Sequence, residues 1–265
     1  MPATQHDKAE RFRALHAGDA FIIPNPWDVG AARVLEALGF QALATTSSGF
    51  AFTLGRRDGG ATLNELATHV HALSEATSLP VSVDLENGFV PTPENAANAI
   101  ARAAEAGAVG GSIEDYDADA GLYDREHATD RVAAAVETAS GLPFPFTVTA
   151  RAENHIRGNP DLDDTIARLQ AYEADGADVL FAPGLRTPEE IRTVCDAVGK
   201  PVNVLAHAGL TKQQIADAGG TRISVGGALT WVAVNAMADA AKRIRDDGDF
   251  SVLTGPGEIR EWMSA

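Results

Sequence analysis

The stretch Val81-Ser82-Val83-Asp84-Leu85-Glu86-Asn87-Gly88 decides how the rest of the chain is read. A short β-branched run leads into two carboxylates one residue apart and then into an Asn-Gly turn. Alternate residues of a strand share a face, so Asp84 and Glu86 reach one common point if the strand pattern continues as far as Glu86. Two acidic groups converging at a strand end suit a hard divalent cation such as Mg2+, which is held by one or two carboxylates and keeps most of its waters. An isolated Asp-x-Glu is as a rule a solvated loop. What distinguishes this one is the architecture on either side.

Outward from that stretch the same unit recurs: a strand of four to six residues, a turn, an amphipathic helix. Strand one, 20–24, leads into Asn25-Pro26-Trp27-Asp28, with Asp28 as N-cap of a helix that carries Ala31, Val34, Leu35 and Leu38 on one face and stops at Gly39. Strand two, 42–46, runs into Ser47-Ser48-Gly49-Phe50, and Thr62 with Glu65 forms a capping box before the next helix. The opening stretch is strand three, and its helix begins at Thr92-Pro93-Glu94 with proline in the first turn. Strands four to eight fall at 109–113, 146–150, 178–182, 202–206 and 222–225, with helix starts at Thr187-Pro188-Glu189-Glu190 and at a Thr211/Gln214 capping box. The last helix is expected to reach about Ile244.

Apolar strands each followed by a helix predict a parallel sheet covered by helices. Eight such units in 265 residues predict an α/β fold of the (β/α)8 TIM-barrel kind. It forms one domain over 1–265, with its core at about 20–245 and a C-terminal helical extension over 246–265 that packs outside the barrel or on a neighbouring subunit. A doubly wound open sheet would carry a glycine-rich phosphate turn after strand one, and Asn25-Pro26-Trp27-Asp28 is not one.

The formal charge of −16 argues against nucleic acid or an anionic membrane surface as partner, since both demand a basic patch. No apolar run approaches the ~18 residues of a membrane span, and residues 1–13 are polar and charged, so neither a transmembrane helix nor a signal peptide is expected. A single cysteine, Cys195, forms no intramolecular disulfide, which fits a reducing, cytoplasmic setting. It shares a helix face with Ile191, Val194 and Val198 and reads as a core residue.

A barrel of this kind places its active site at the C-terminal mouth. Polar strand-end residues therefore converge there: Ser48 and Gly49, Asp84 and Glu86, Glu114 and Asp115, Arg151 and Glu153, Asn203 and His207. Asp84, Glu86 and Glu114 would repel one another, and a divalent cation removes that cost. Arg151 is a second positive centre for a substrate carboxylate or a developing oxyanion.

Ser48-Gly49-Phe50, Asp58 after Gly55-Arg56-Arg57, Asp84-Leu85-Glu86-Asn87-Gly88, Ile113-Glu114-Asp115 and Thr149-Ala150-Arg151-Ala152-Glu153 resemble, in order, the motifs of the isocitrate lyase/phosphoenolpyruvate mutase superfamily. The resemblance implies a Mg2+-dependent enzyme, Mn2+ serving as substitute, that makes or breaks a C–C or P–C bond of a small 2-oxo or 2-hydroxy carboxylate through an enolpyruvate-like intermediate. It implies that Ser48 and the amides of Gly49 and Phe50 hold the substrate carboxylate, and that Asp84 binds the metal directly. Asp58, Glu86 and Glu114 would hold metal-bound waters, and Arg151 would grip the substrate. It also implies a homodimer or homotetramer built by exchange of the last helix.

Departures from the family pattern narrow the reading. Lyases of this superfamily that cleave isocitrate or methylisocitrate carry a loop after strand four with a catalytic cysteine, and the phosphonomutases place an asparagine there. Residues 115–124, Asp-Tyr-Asp-Ala-Asp-Ala-Gly-Leu-Tyr-Asp, contain neither. The expected reaction is C–C cleavage by decarboxylation or retro-aldol chemistry, ahead of P–C hydrolysis or phosphonomutase activity. A non-catalytic 2-oxo-acid-binding protein and a sugar-phosphate barrel using Gly226-Gly227 are the rivals. Candidate acid/base groups are His207, His155, Tyr116 and Tyr123, while His69 and His71 read as helix-face residues.

Overall fold

The computed structural model describes residues 3–263; residues 1, 2, 264 and 265, the outermost positions of the expected domain and its tail, lie outside the described part. Its strands are β1 (Phe21–Ile23), β2 (Leu43–Ala44), β3 (Val81–Asp84), β4 (Gly110–Glu114), β5 (Tyr116–Asp117), β6 (Gly121–Leu122), β7 (Thr147–Arg151), β8 (Val179–Phe181), β9 (Val202–Leu205) and β10 (Arg222–Ser224). Eight of them run parallel in the order β1-β10-β9-β8-β7-β4-β3-β2, while β5 and β6 form a separate antiparallel hairpin. Without that hairpin the ring follows the chain, as a (β/α)8 barrel requires. The seam between β1 and β2 is bridged by Ala44 N–H donating to Pro24 O at 3.1 Å.

The helix starts fall where their caps predict. Asp28 accepts from Ala31 N–H at 2.7 Å. Thr62/Glu65, Thr187/Glu190 and Thr211/Gln214 form full capping boxes, and Thr92 caps the helix that opens with Pro93. The last helix, Ala228–Asp247, runs three residues past the expected Ile244 and stops at Gly248 in the left-handed conformation. The tail turns back as a short helix, Ile259–Trp262, and packs on the Val29–Ala37 helix of its own chain, where Arg33 Nη1 donates to Met263 O at 2.9 Å.

Outward-facing strand residues bury the helices in two clusters. Val83, Ile113 and Val148 belong to one, and Ala150, Leu180, Val204 and Ile223 to the other. The inward-facing alternation is mixed: Ser82, Ser112, Asn203, Arg222 and Ser224 line the barrel interior beside Ile23, Phe181 and Leu205, where Val, Ile and Leu usually dominate. The β5–β6 hairpin and two helices are additional to the sequence expectation. The Gln5–Leu15 helix, capped by Thr4 and Asp7, closes the N-terminal end with Ala9 and Phe12 against Phe21, Ala42 and Val109. Lys8 fastens it by donating to Ser74 O at 2.8 Å and Thr77 O at 2.7 Å.

Candidate active site

Two cavities meet over Arg151 at the C-terminal ends of the strands. The deeper, about 150 Å3, is lined by Ser48, Asp84, Asn203 and Arg222; the outer, about 540 Å3, by Asp58, Glu86, Glu114, Tyr116 and Arg157; Ser47 and Arg151 line both. A larger space of about 640 Å3 beside Arg13, His16 and Phe144 lies at the opposite end, away from the carboxylates that β3 and β4 deliver.

Arg151, the last residue of β7, is the centre of the mouth. Its Nη1 donates to Asp84 Oδ1 at 2.9 Å, and its Nη2 reaches Glu114 Oε2 at 3.0 Å and Glu153 Oε1 at 2.7 Å. Arg157 adds a second cation, 3.0 Å from Glu153 Oε2 and 3.6 Å from Glu114 Oε1, with its guanidinium stacked on the Tyr116 ring at 3.9 Å. Asp58, Asp84, Glu86, Glu114 and Glu153 thus oppose two guanidiniums, and when all are ionised three negative charges stay uncompensated.

Glu86 reaches this cluster by a different route from the one expected. β3 ends at Asp84, and Glu86 lies beyond it in the left-handed region at φ 50°, so strand alternation does not aim the two carboxylates. The turn is held instead by Arg131, which donates through Nη1 to Glu114 O at 2.9 Å and through Nη2 to Asn87 O. Burial, and then the charges of Asp84 and Asp58, push Glu86 up to about 8. Burial also raises Glu114, against the pull of Arg151.

Ser47 and Ser48 open the Ser47–Thr53 helix, capped by Thr46, and Ser47 N–H donates to Asp84 Oδ2 at 3.2 Å. The amides of Gly49 and Phe50 are engaged within that first turn, by Thr46 Oγ1 at 3.4 Å and Thr46 O at 3.0 Å, and both residues are buried. The residues facing the cavity are Ser47 and Ser48. Ser48 lies against the Gly226-Gly227 turn, where a Cβ on Gly227 would come within 2.4 Å of Ser48 Oγ.

His207 is not brought to the mouth. Its ring is exposed, accepts from Gly209 N–H through Nδ1 at 3.0 Å, and therefore donates from Nε2 to Arg186 O at 3.0 Å. Asp115 turns behind the barrel to accept from Tyr172 Oη at 2.5 Å, Arg168 Nη1 at 3.1 Å and Glu153 N–H at 2.7 Å. Tyr123 is buried with its hydroxyl accepting from Asn87 Nδ2 at 3.1 Å, so among the loop tyrosines only Tyr116 lines the outer cavity. His155 is partly buried and His69 stacks on Phe50, with burial lowering its pKa to about 4. Cys195 packs beside the core, and burial raises its thiol to about 11.

Three features escaped the sequence reading. Arg157 is signalled only by its four-residue spacing from Glu153, and the Ser47–Thr53 helix by the Thr46 cap. Arg222 is signalled only by a charge at the first position of a short buried strand.

The residues present suit a divalent cation. Among the described residues no three His, Cys, Asp or Glu side chains form a ready-made cage, because Arg151 stands between Asp84 and Glu114. Mg2+ needs no such cage, and the uncompensated charge and the raised Glu86 are what a bound cation relieves.

A (β/α)8 barrel with an acidic, arginine-centred mouth is the frame of an enzyme that handles small anions. Residues 12–245 match the family described as phosphoenolpyruvate phosphomutase, and the chain belongs to it, within the isocitrate lyase/phosphoenolpyruvate mutase superfamily that the motifs resemble. A crystal structure from Burkholderia cenocepacia J2315, provisionally described as a lyase/mutase, is 51% identical with a TM-score of 0.95, covering 98% of this chain and 97% of that one. The oxaloacetate decarboxylase of Bradyrhizobium diazoefficiens is 30% identical over 261 residues, 94% of this chain and 88% of the relative. A phosphonopyruvate hydrolase solved with oxalate and Mg2+ is 25% identical with a TM-score of 0.86, covering 97% of this chain and 95% of that one.

Proposed function

We propose that this protein is a Mg2+-dependent lyase that cleaves a C–C bond of a small 2-oxo or 2-hydroxy carboxylate, by decarboxylation or retro-aldol chemistry. The observation that carries this reading is Arg151 held among Asp84, Glu114 and Glu153 at the barrel mouth, with Glu86 and Asp58 facing the same space. When bound, the cation supplies a Lewis acid for the substrate carbonyl, and Mn2+ serves in its place. Asp84 would hold it directly, and Asp58, Glu86 and Glu114 would hold it through water. Arg151 faces the oxygen on which negative charge develops as the bond breaks. Ser47 and Ser48, at a helix N-terminus, take the substrate carboxylate. The 30% identity to an oxaloacetate decarboxylase, against 25% to a phosphonopyruvate hydrolase, supports C–C over P–C cleavage. The absence of an asparagine from residues 115–124 weighs against phosphonomutase chemistry, and the absence of a cysteine there weighs against a lyase that uses one.

Self-association through the last helix belongs to the same reading, supported by Trp231, Val232 and Met237, which are 43%, 67% and 62% exposed.

The test is thermal unfolding with Mg2+ alone, oxalate alone and both together. A ligand that binds only the folded state raises stability by mass action. A rise that needs both supports the site and directs a turnover screen to oxaloacetate, substituted malates and phosphonopyruvate. No rise in any arm sinks the reading.

A further inference from the structure

Arg222 stands on β10 in register with Asn203 of β9, is 4% exposed, and lines the deeper cavity with Asp84 and Ser112. Its Nε donates to Asn203 Oδ1 at 2.9 Å, and Asn203 Nδ2 donates in turn to Ser224 Oγ at 3.0 Å. Its Nη1 is buried and has no hydrogen-bond partner. Among the described residues no carboxylate pairs with it, whereas Arg151, Arg157 and Arg168 each hold at least one. Burial, and then the charge of Arg151, lower its pKa to about 9 and still leave it protonated at neutral pH.

A buried charge without a partner is costly, and the fold offers two neutral groups where a carboxylate would ordinarily stand. An anion delivered from solution is the missing counter-charge. A guanidinium fork suits a carboxylate or a phosphonate, and Asn203 fixes its plane from one side. A substrate with a single carboxylate, taken up at the Ser48 and Asp84 end, leaves Arg222 unmatched. We propose that Arg222 is a specificity-determining residue that receives a second anionic group of the substrate, so that the site selects 2-oxo dianions over monoanionic 2-oxo acids. The inference rests on the metal-site reading above.

The test measures Kd by calorimetry in saturating Mg2+ for oxalate, pyruvate and 3,3-difluorooxaloacetate. The parent should bind the diacid at least about tenfold tighter than pyruvate, the scale of one charge-assisted contact. Arg222→Gln should bring that ratio to about twofold or less while oxalate stays within about threefold of the parent. Asn203→Asp guards against a variant that does not fold. It sets a carboxylate at the position of Oδ1, satisfies Arg222 from within, and should abolish the preference in the same way. A diacid preference that survives either substitution overturns the assignment while leaving the metal site intact. Failure of the parent to bind Mg2+ with oxalate has a different signature and removes the reading beneath it. Phosphonopyruvate in place of the fluorinated diacid tells which anionic group the parent prefers at Arg222.

Discussion

Arg151 Nη1 donates to Asp84 Oδ1 at 2.9 Å, joining the end of β7 to the end of β3 across the mouth of the barrel. The same guanidinium reaches Glu114 and Glu153, so one cation balances part of the charge of three carboxylates that strand order forces together. Its place between Asp84 and Glu114 makes it a structural counter-ion, and under the proposed function it is also the group that faces developing negative charge.

Arg151→Met should therefore fail in two separable ways. In the absence of divalent cation the melting temperature should fall, because buried carboxylates lose their partner. Saturating Mg2+ should recover part of that loss. Turnover should fall by about a hundredfold or more even with Mg2+, the usual cost of deleting a donor to an oxyanion. Activity within about twofold of the parent would contradict the assigned role.

Glu86 carries a pH signature. From the ordinary 4.5 of a free glutamate it is pushed up to about 8 in the fold, chiefly because it is buried and then because of the charges of Asp84 and Asp58. Between those values the folded protein holds a proton that the unfolded chain has released, so stability falls as pH rises through that window. The loss should be complete above about pH 8, and amount to a few kcal/mol at most. Urea midpoints measured in EDTA from pH 5 to 8 should show this slope. Glu86→Gln should lessen it, since burial raises Glu114 through the same window, and saturating Mg2+ with the parent should flatten it. A slope unchanged in Glu86→Gln would assign it elsewhere.

His207 and Cys195 should prove dispensable for chemistry. Both ring nitrogens of His207 are occupied by Gly209 and Arg186 on the outer loop, and Cys195 packs where burial raises its thiol to about 11. His207→Gln and Cys195→Ala should each keep kcat/KM within about twofold of the parent. A folded but inactive variant of either would place an acid/base group where the structure shows none.

Much of this arrangement is written locally. Asp28, Thr62, Thr92, Thr187 and Thr211 cap their helices through side chains within three residues, and a linear sequence displays such contacts directly. Ring order follows from the repetition of the strand-helix unit, so Asp84, Glu114 and Arg151 could be placed together in advance. The aim of Glu86 could not, since Arg131 fixes the turn through hydrogen bonds to backbone 44 and 17 residues away. The Gln5–Leu15 helix buries only Lys8, Ala9 and Phe12, too narrow an apolar stripe to mark it. The engagement of the Gly49 and Phe50 amides depends on where helix geometry starts, and that is set at Thr46.

That helix supplies the last prediction. Gly49 has an ordinary negative φ and needs no glycine for its conformation; it needs one for space. A Cβ there would come within 2.6 Å of Thr230 Oγ1, 2.7 Å of Thr46 Cγ2 and 3.0 Å of Trp27 Cβ, and Thr230 is fully buried in the last helix. Gly49→Ala should cost about 1–3 kcal/mol through overpacking, lowering the melting point by about 2–4 °C for each kcal/mol. The displaced helix would also move Ser47 N–H from Asp84 Oδ2 and Ser48 from Gly227, so stabilisation by Mg2+ with oxalate should weaken as well. Thr230→Ala removes the closest clashing atom, and the double variant should recover part of both losses, a coupling expected only of residues in contact. Equal stability of Gly49→Ala and the parent, or strictly additive losses in the double variant, would show that the close packing of these two helices does not hold the mouth in place.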